Sequence, residues 1–314
     1  DGKLEYNILV DASNSGISVN YPSSDRAVLK KPSVDIPIDI NRGTSKEIPN
    51  PFIIPGLRKI KVNSQLVESL NFDNFVEGDC NRLARSAGLA IAKNPGKTSF
   101  NPLFIFSDTG LGKTHLAHAI GIEVKKNFPD KTVLYVQTSE FLNQFIDSVK
   151  DDTTNDFVHF YQMIDVLIMD DIHNLANKLK TQDVFFQLFN TLHQKGNQII
   201  LTSDKPPVEL EDIEPRLLSR FKWGLAADLQ MPDIETRMAI IQKKLHKDGL
   251  TIPDDVVEYL AYSISTNIRE LEGAMISLVA HSSFNRKPIT IDLAKTMIDQ
   301  YVRNSKREIS IDYI

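Results

Sequence analysis

Cysteine is nearly absent from this sequence, since Cys80 is the only one among 314 residues. A single thiol excludes an internal disulfide and a cysteine-based zinc site, and it is typical of a reducing compartment, so we expect a cytoplasmic location. Long apolar runs are also missing. The longest, such as 166–169, have the length of a strand. A membrane-spanning helix needs about 20 apolar residues, so we predict no membrane span.

An excess of positive charge is missing as well. The net charge of −5 argues against a protein that coats nucleic acid with bulk positive charge, so any nucleic-acid contact must be local. With 41% hydrophobic and 25% charged residues, the composition is typical of a soluble globular protein of about two domains. The sequence opens at Asp1 without a methionine or a basic-then-apolar leader. From this we expect no secretion signal and a start that is a cut or partial end.

A glycine-rich turn is present between an apolar run at 102–106 and a helix-like periodic run at 115–124. It reads Gly110-Leu111-Gly112-Lys113-Thr114. In a strand, turn and helix of this order, backbone N–H groups and the positive helix end point at one place, where phosphate oxygens bind. Lys113 would neutralise the β- and γ-phosphates, and Thr114 would bind Mg²⁺. The order favours an ATP-binding phosphate loop over the alternative, an ordinary strand-to-helix turn.

One position departs from the full phosphate-loop signature. The signature has glycine five residues before Gly112, where this sequence has Ser107. Serine keeps its backbone N–H but does not adopt a strongly positive φ without cost. We therefore expect a loop that binds nucleotide more weakly than a standard one if this position needs that conformation.

The chain divides by pattern into four predicted segments. Residues 11–50 contain four prolines and one aromatic residue, which is too little apolar surface to offset the entropy of ordering. Apolar runs near 102–106, 132–136, 165–169, 198–202 and 225–228 then alternate with helical stretches, the rhythm of a parallel α/β sheet. Four helical patterns follow, near 234–246, 254–263, 267–282 and 291–303. The segments are 1–10, a strand-like remnant of an N-terminal domain or a strand on the edge of the sheet; 11–67, a flexible linker; 68–231, a nucleotide-binding α/β domain; and 232–304, a small helical domain.

Carboxylates follow two of the predicted strands. Asp170 and Asp171 end the run 166–169, where Asp170 would hold Mg²⁺, usually through water, and Asp171 would polarise the attacking water. The alternative is a strand that exits into a polar turn, and the upstream phosphate loop favours the functional interpretation. Asp204 ends the next strand and would contact the γ-phosphate or orient the same water. A Ser-Asp cap for the next helix is nearly as well supported.

Signature segments spread over residues 72–282 add to the candidate nucleotide-site residues named above. They are 72–78, Asn81, 110–116, 170–172, 201–204, Arg216, 219–221, 223–225 and 267–273. With them the sequence resembles the ATPase region of the bacterial DnaA replication-initiator family, within the AAA+ ATPases. The resemblance implies the AAA+ fold, an α/β sheet domain followed by a helical lid, and an ATP-dependent initiator core. It also implies weak ATPase activity that serves as an assembly switch.

The resemblance also implies roles for individual residues. Asn74, Phe75, Val76 and Asn81 fall in the family's nucleotide-base pocket, and His115 follows the phosphate loop in the same cofactor site. Arg220 matches the arginine that reaches the ATP of a neighbouring subunit, and Arg269 matches the lid arginine that touches ATP in its own subunit. The alternatives are a surface or intrahelical ion pair for Arg220, and pairing with the flanking glutamates for Arg269.

Further partners are implied by the same resemblance. Ile146, Lys178 and Lys180 match a surface for single-stranded origin DNA inside a helical, ATP-dependent oligomer; the alternatives are a core isoleucine and solvated lysines. The family continues past the position of Ile314 into a helix-turn-helix domain, so 305–314 is interpreted as the truncated start of that domain. Contact with the replicative helicase machinery is expected through a missing N-terminal domain. Two rival functions remain, a regulatory adaptor of the initiator and a partial copy that acts only as an interaction module.

Overall fold

The computed structural model describes residues 62–298. The predictions for residues 1–61 and 299–314, including the N-terminal strand, most of the linker and the segment 305–314, lie outside the described residues. Within the described range, none of the helices combines the length and the apolar character that crossing a membrane requires.

The elements alternate between strand and helix before the chain becomes wholly helical. The strands are β1 (Leu103–Phe106), β2 (Val133–Gln137), β3 (Val166–Asp170), β4 (Gln198–Ser203) and β5 (Leu225–Asp228). The helices are α1 (Arg82–Lys93), α2 (Lys113–Asn127), α3 (Thr138–Lys150), α4 (Thr154–Gln162), α5 (Leu179–Gln194), α6 (Pro215–Phe221), α7 (Ile234–Asp248), α8 (Asp254–Ser263) and α9 (Ile268–Asn285). A short 3-10 helix spans Ile172–Leu175, and residues 291–298 are also helical. All five predicted strands are present, each within one residue of its predicted bounds.

The five strands form one parallel sheet in the order β2-β3-β4-β1-β5. The central strands are buried along their whole length, which explains their continuous apolar runs. β1 lies between β4 and β5, with Phe104 opposite Leu201 and Ala226. The carboxyl ends of β1, β3 and β4 therefore meet at one edge, where the loops after them face each other. The predicted α/β class is confirmed.

Helices cover both faces of the sheet because successive strand residues point to opposite sides. On one face Phe104 packs with Phe141 and Phe185 of α3 and α5. On the other face Ile105 packs with Leu116 of α2. This second layer fixes the start of α2 directly after the glycine-rich turn.

The helical part that follows the sheet has its own core, to which α7, α8, α9 and residues 291–298 contribute. Two of its helices, α7 and α9, begin at capping residues: Asp233 Oδ1 accepts a hydrogen bond from Thr236 N and Asn267 Oδ1 accepts one from Glu270 N, both at 2.7 Å. The first three predicted helices are present. The fourth, predicted near 291–303, is helical over 291–298 and its remainder lies outside the described residues.

The end of the predicted linker 11–67 packs on the sheet. The N–H of Tyr135 in β2 donates to Ser64 O at 3.0 Å, and Val67 N donates to His118 Nδ1 at 3.4 Å. Residues 62–67 thus cover β2, an edge strand. The linker was predicted from the composition of residues 11–50, whereas the contacts that hold residues 62–67 on the sheet come from distant parts of the chain.

Candidate functional site

A cleft of about 450 Å³ lies between the carboxyl edge of the sheet, the start of α2 and the helical domain. It brings together most of the predicted site residues. Those lining it are Asn74, Phe75, Val76, Asn81, Gly110, Leu111, Gly112, Lys113, Thr114, His115, Asp171, Asp204 and Arg269. Asp170 lies directly behind them through its bond with Thr114. Arg220, Ile146, Lys178 and Lys180 are not among the lining residues.

The glycine-rich turn has a backbone that requires glycine at two positions. Gly110 has φ 82° and Gly112 has φ 98°, in the left-handed region where other residues are strained. At Gly110 a Cβ would also lie 3.0 Å from Asn267 Oδ1. Gly112 precedes α2, which has no side-chain cap at its start. The first N–H groups of α2 therefore remain available to an anion at the positive helix end.

Lys113 is almost fully buried, at 7% exposure, and is surrounded by oxygen atoms. Its Nζ donates to Ser107 O at 2.9 Å, to Ser107 Oγ at 3.2 Å and to Asp108 O at 3.1 Å. It also pairs with Asp204 Oδ1 at 2.7 Å. Asp204 therefore faces the cleft. The next helix begins only at Pro215, so the alternative of a helix cap at Asp204 is wrong.

Ser107 does not carry the strain that the sequence suggested. Positive φ angles in the turn belong to Gly110 and Gly112 and not to Ser107. The backbone of Ser107 continues the sheet, since its N–H donates to Ser203 O at 3.3 Å. The expected cost of a non-glycine residue is thus absent, and the expectation of weaker nucleotide binding loses its physical basis. The hydroxyl of Ser107 instead adds an acceptor for Lys113.

Asp170 ends β3 in a buried network of hydroxyl groups and is 2% exposed. Its Oδ2 accepts from Thr114 Oγ1 at 2.8 Å and from Tyr135 OH at 2.7 Å, and its Oδ1 accepts from Thr202 Oγ1. A hydroxyl beside a carboxylate is an oxygen set that suits Mg²⁺. Among residues 62–298 no cluster of three or more His, Cys, Asp or Glu side chains forms a metal site. The pair therefore fits a metal whose remaining ligands are phosphate and water.

Asp171 is held by a strained backbone that turns it toward the cleft. It adopts φ 57° and ψ 52°, and its N–H donates to Thr202 Oγ1 at 2.9 Å. Burial is the largest cause of the raised pKa of Asp171, and the neighbouring Asp170 carboxylate raises it further. A carboxylate with a raised pKa is a stronger base, which suits a group that polarises water.

Polar side chains shape the opposite end of the cleft by holding its backbone. Asn81 accepts from Gly78 N at 3.1 Å and donates to Val76 O at 2.9 Å, which closes the loop between them. His115 has Nε2 3.0 Å from Asn71 O and packs edge-to-face on Phe75, with ring centroids 5.2 Å apart. Burial lowers the pKa of His115, which favours its neutral form. This end offers an aromatic wall suited to a planar base.

The helical domain forms one wall of the cleft. The N–H of Ile268 donates to Gly110 O at 3.1 Å, so the start of α9 touches the glycine-rich turn. Arg269 follows and lines the cleft. No carboxylate of residues 62–298 pairs with Arg269 within 4 Å, and Glu270 instead bonds with Thr266 and Asn267. The alternative of an ion pair with a flanking glutamate is therefore not formed.

Sequence reasoning missed four charged residues of this cleft. They are Lys243, Lys244, Lys247 and Glu272. The lysines occupy positions i, i+1 and i+4 of α7, a spacing that also fits an ordinary solvated helix face. Only the position of α7 beside the cleft distinguishes the two, and no local pattern in the sequence encodes that position.

Arg220 lies outside the cleft, on α6. Its Nε donates to Asn190 Oδ1 at 2.6 Å, and its guanidinium lies 4.2 Å from the ring centroid of Phe186 and 5.1 Å from that of Trp223. No carboxylate of residues 62–298 lies within 4 Å of it, so the alternative of an ion pair is not formed. The position separates Arg220 from the nucleotide site of its own chain.

The predicted nucleic-acid residues lie on the surface. Ile146 in α3 is 46% exposed, so its alternative as a core isoleucine is wrong. Lys178 is the residue before α5, and both it and Lys180 are exposed. Leu179 between them is exposed as well.

Comparison with known sequences shows to which family the chain is similar. The model of the bacterial DnaA ATPase domain matches residues 66–228. The chromosomal replication initiator protein DnaA of Flavobacterium psychrophilum is 57% identical over 293 residues, which cover 93% of this chain and 61% of that protein. The chain thus spans about three fifths of the length of this curated relative.

Solved structures of the same family have a similar fold. Domain III of the replication initiation protein DnaA from Thermotoga maritima is 38% identical with a TM-score of 0.72, over 75% of this chain and 98% of that one. A replication initiator DnaA bound to AMPPCP and single-stranded DNA is 36% identical with a TM-score of 0.64, over 68% of this chain and 66% of that one.

Proposed function

This chain belongs to the bacterial DnaA family, and on that premise we propose that it is the ATP-dependent core of a chromosomal replication initiator. In its ATP state the core assembles into a helical oligomer and engages single-stranded origin DNA, and slow hydrolysis resets it. The observation that carries the proposal is where the cationic side chains lie relative to the cleft. Lys113 and Arg269 line the cleft, whereas Arg220 lies outside it on α6.

The cleft supports the binding of ATP with Mg²⁺. The turn at 110–114 and the first N–H groups of α2 would hold the phosphates, with Lys113 as the principal cation. Thr114 and Asp170 would hold Mg²⁺ together with phosphate and water. Bound there, the ion would neutralise charge on the phosphate oxygens. Asp171 and Asp204, which both line the cleft, would orient the attacking water.

The base would bind at the other end of the cleft. Phe75 and His115 supply an aromatic surface, and Asn81 keeps the loop from Val76 to Gly78 in position. Arg269 would contact the phosphates from the helical domain. Because α9 touches the glycine-rich turn through Ile268, nucleotide binding would fix the helical domain on the sheet domain.

Assembly would depend on Arg220. An arginine that meets the γ-phosphate of a neighbouring subunit stabilises the contact only while that phosphate is present, so ATP and ADP would differ in assembly. Contact with single-stranded DNA would involve Ile146, Lys178 and Lys180, in keeping with the relative that binds such DNA. Contact with helicase machinery would require parts of the family's longer chains.

The test is the substitution Arg220→Ala with light scattering in ATP and in ADP. ATP should bind as in the parent, and ATP-dependent association should weaken by about 5- to 150-fold, the range of one coupling contact. Lys222→Ala, which removes a nearby exposed lysine, is the control and should assemble normally. A variant that loses affinity for its own nucleotide would place Arg220 in its own site. Assembly that survives the change would overturn the interface role.

A further inference from the structure

Two arginines one helical turn apart on α6 are held in contrasting ways. The guanidinium of Arg216 forms salt bridges with Asp183 and with Glu214, the latter at 2.6 Å. Arg220 instead donates from Nε to the amide oxygen of Asn190 at 2.6 Å and from Nη1 to the carbonyl of Arg216 at 3.1 Å. The charge of Arg216 is compensated twice, whereas the partners of Arg220 are neutral.

Aromatic rings complete the surroundings of Arg220. Its guanidinium lies 4.2 Å from the centroid of the Phe186 ring, and the guanidinium of Arg216 lies 4.4 Å from the same centroid. Trp223 lies 5.1 Å away, is 53% exposed, and packs against His193 with ring centroids 5.1 Å apart. Aromatic faces attract a cation without removing its net charge. The two rings therefore restrict the guanidinium while its charge stays available.

We propose that Asn190, Phe186 and Trp223 are positioning residues that present the uncompensated charge of Arg220 to the triphosphate of a second copy of this chain. This inference rests on the proposed function. The contacts with neutral groups use Nε and one Nη1 hydrogen, so further donors of the guanidinium remain for phosphate oxygens. A side chain held in place before binding loses less conformational entropy when the anion arrives.

The neutrality of Asn190 is the decisive feature. An aspartate there has nearly the same shape and keeps an oxygen acceptor, but it adds a charge that forms a charge-assisted bond with the guanidinium. If Asn190 only anchors α6 to α5, Asn190→Asp should preserve or strengthen that anchor. If Asn190 keeps the arginine uncompensated, the same change should make it a weaker partner for phosphate.

The experiment compares the parent, Asn190→Asp and Asn190→Ala in ATP-dependent association, nucleotide affinity and thermal unfolding. Asn190→Asp should keep nucleotide affinity, unfold at the same or a higher temperature, and associate about tenfold or more weakly. Asn190→Ala loosens the arginine but leaves its charge, so association should weaken about two- to fivefold. Association should therefore weaken more in Asn190→Asp than in Asn190→Ala, although aspartate is the smaller change in shape.

The outcomes separate this inference from the proposed function. If the parent assembles with ATP and Arg220→Ala does not, but Asn190→Asp assembles like the parent, the inference is overturned and the proposed function stands. The reverse order, with alanine more harmful than aspartate, would also overturn it by assigning Asn190 a structural role alone. A parent that shows no difference between ATP and ADP would instead overturn the proposed function. If Asn190→Asp fails to fold, the comparison of Phe186→Leu with Phe186→Tyr tests the positioning role instead, because only the tyrosine keeps an aromatic face under Arg220. Association should then be weaker in Phe186→Leu, and equal assembly of the two variants would overturn the inference.

Discussion

Lys113 in the cleft and Arg220 on α6 are both cations assigned to phosphate, but the chain surrounds them differently. Lys113 is buried and already contacts the carboxylate of Asp204 at 2.7 Å. Arg220 is partly exposed, and its polar and aromatic contacts within residues 62–298 are an amide, a carbonyl and two aromatic rings. A phosphate at Lys113 must replace Asp204 as its partner, whereas a phosphate at Arg220 replaces no carboxylate. Under the proposed function, Lys113, which would serve the ligand of its own chain, is shielded, whereas Arg220, which would serve that of another chain, is open.

The largest effect is expected from Lys113→Ala, which removes the only buried cation of the cleft among the described residues. Binding of ATP and ADP should weaken by about 100-fold or more, because a charge-assisted contact to phosphate is lost in a buried site. Equilibrium binding of a fluorescent nucleotide measures this. Lys126→Ala, an exposed lysine of the same helix, is the control. Equal loss in the control, or parent affinity in Lys113→Ala, would remove the contrast with Arg220.

A second large effect is expected from Asp171→Asn, on turnover and not on binding. Removal of a general base costs about 100-fold or more in rate, while the phosphate-binding groups are left intact. Burial raises the pKa of Asp171, so its ionised form is disfavoured in the folded chain. A neutral amide there should leave the melting temperature unchanged or higher at neutral pH. Single-turnover hydrolysis at the parent rate would show that Asp171 has no role in the reaction.

The smallest effect is expected from Asp204→Asn, and it tests the contrast between Lys113 and Arg220 most directly. Asp204→Asn removes the carboxylate that compensates Lys113, so ADP should bind about two- to fivefold more tightly, the range expected for a partly exposed ion pair in competition with phosphate. Titration of ADP into both proteins at the same ionic strength measures the change. Weaker binding in Asp204→Asn would mean that Asp204 assists phosphate binding, in which case the two cations do not differ as described.

Local sequence signals were sufficient for the sheet and for the centre of the cleft. The apolar run 166–169 and the glycine-rich turn at 110–114 predicted a buried strand and a phosphate loop, because burial on both faces and a left-handed turn each restrict residue type locally. The same kind of local rule gave a wrong expectation at Ser107. The rule assumes that glycine is needed there for its φ angle, but φ at Ser107 follows from its pairing with Ser203 across the sheet, which is a non-local contact.

The remaining features depend on packing between distant segments. The lysines of α7 became cleft residues only because the helical domain lies over the turn. Asn190 and Phe186 are on α5, about 30 residues before Arg220, and each resembles an ordinary helix residue by itself. Family resemblance supplied the position of Arg220 but not its contacts with Asn190 and Phe186.

Trp223 has a practical consequence for experiments on both regions. It is the only tryptophan of the chain and lies beside Arg220, while the residues that line the cleft include none. Tryptophan emission of the unlabelled protein, excited at a wavelength that the eight tyrosines do not absorb, therefore originates at the α6 face alone. A dye-labelled nucleotide reports events in the cleft on a separate wavelength. The two cations compared above can thus be followed in one cuvette, at the same time and without chemical modification of the chain.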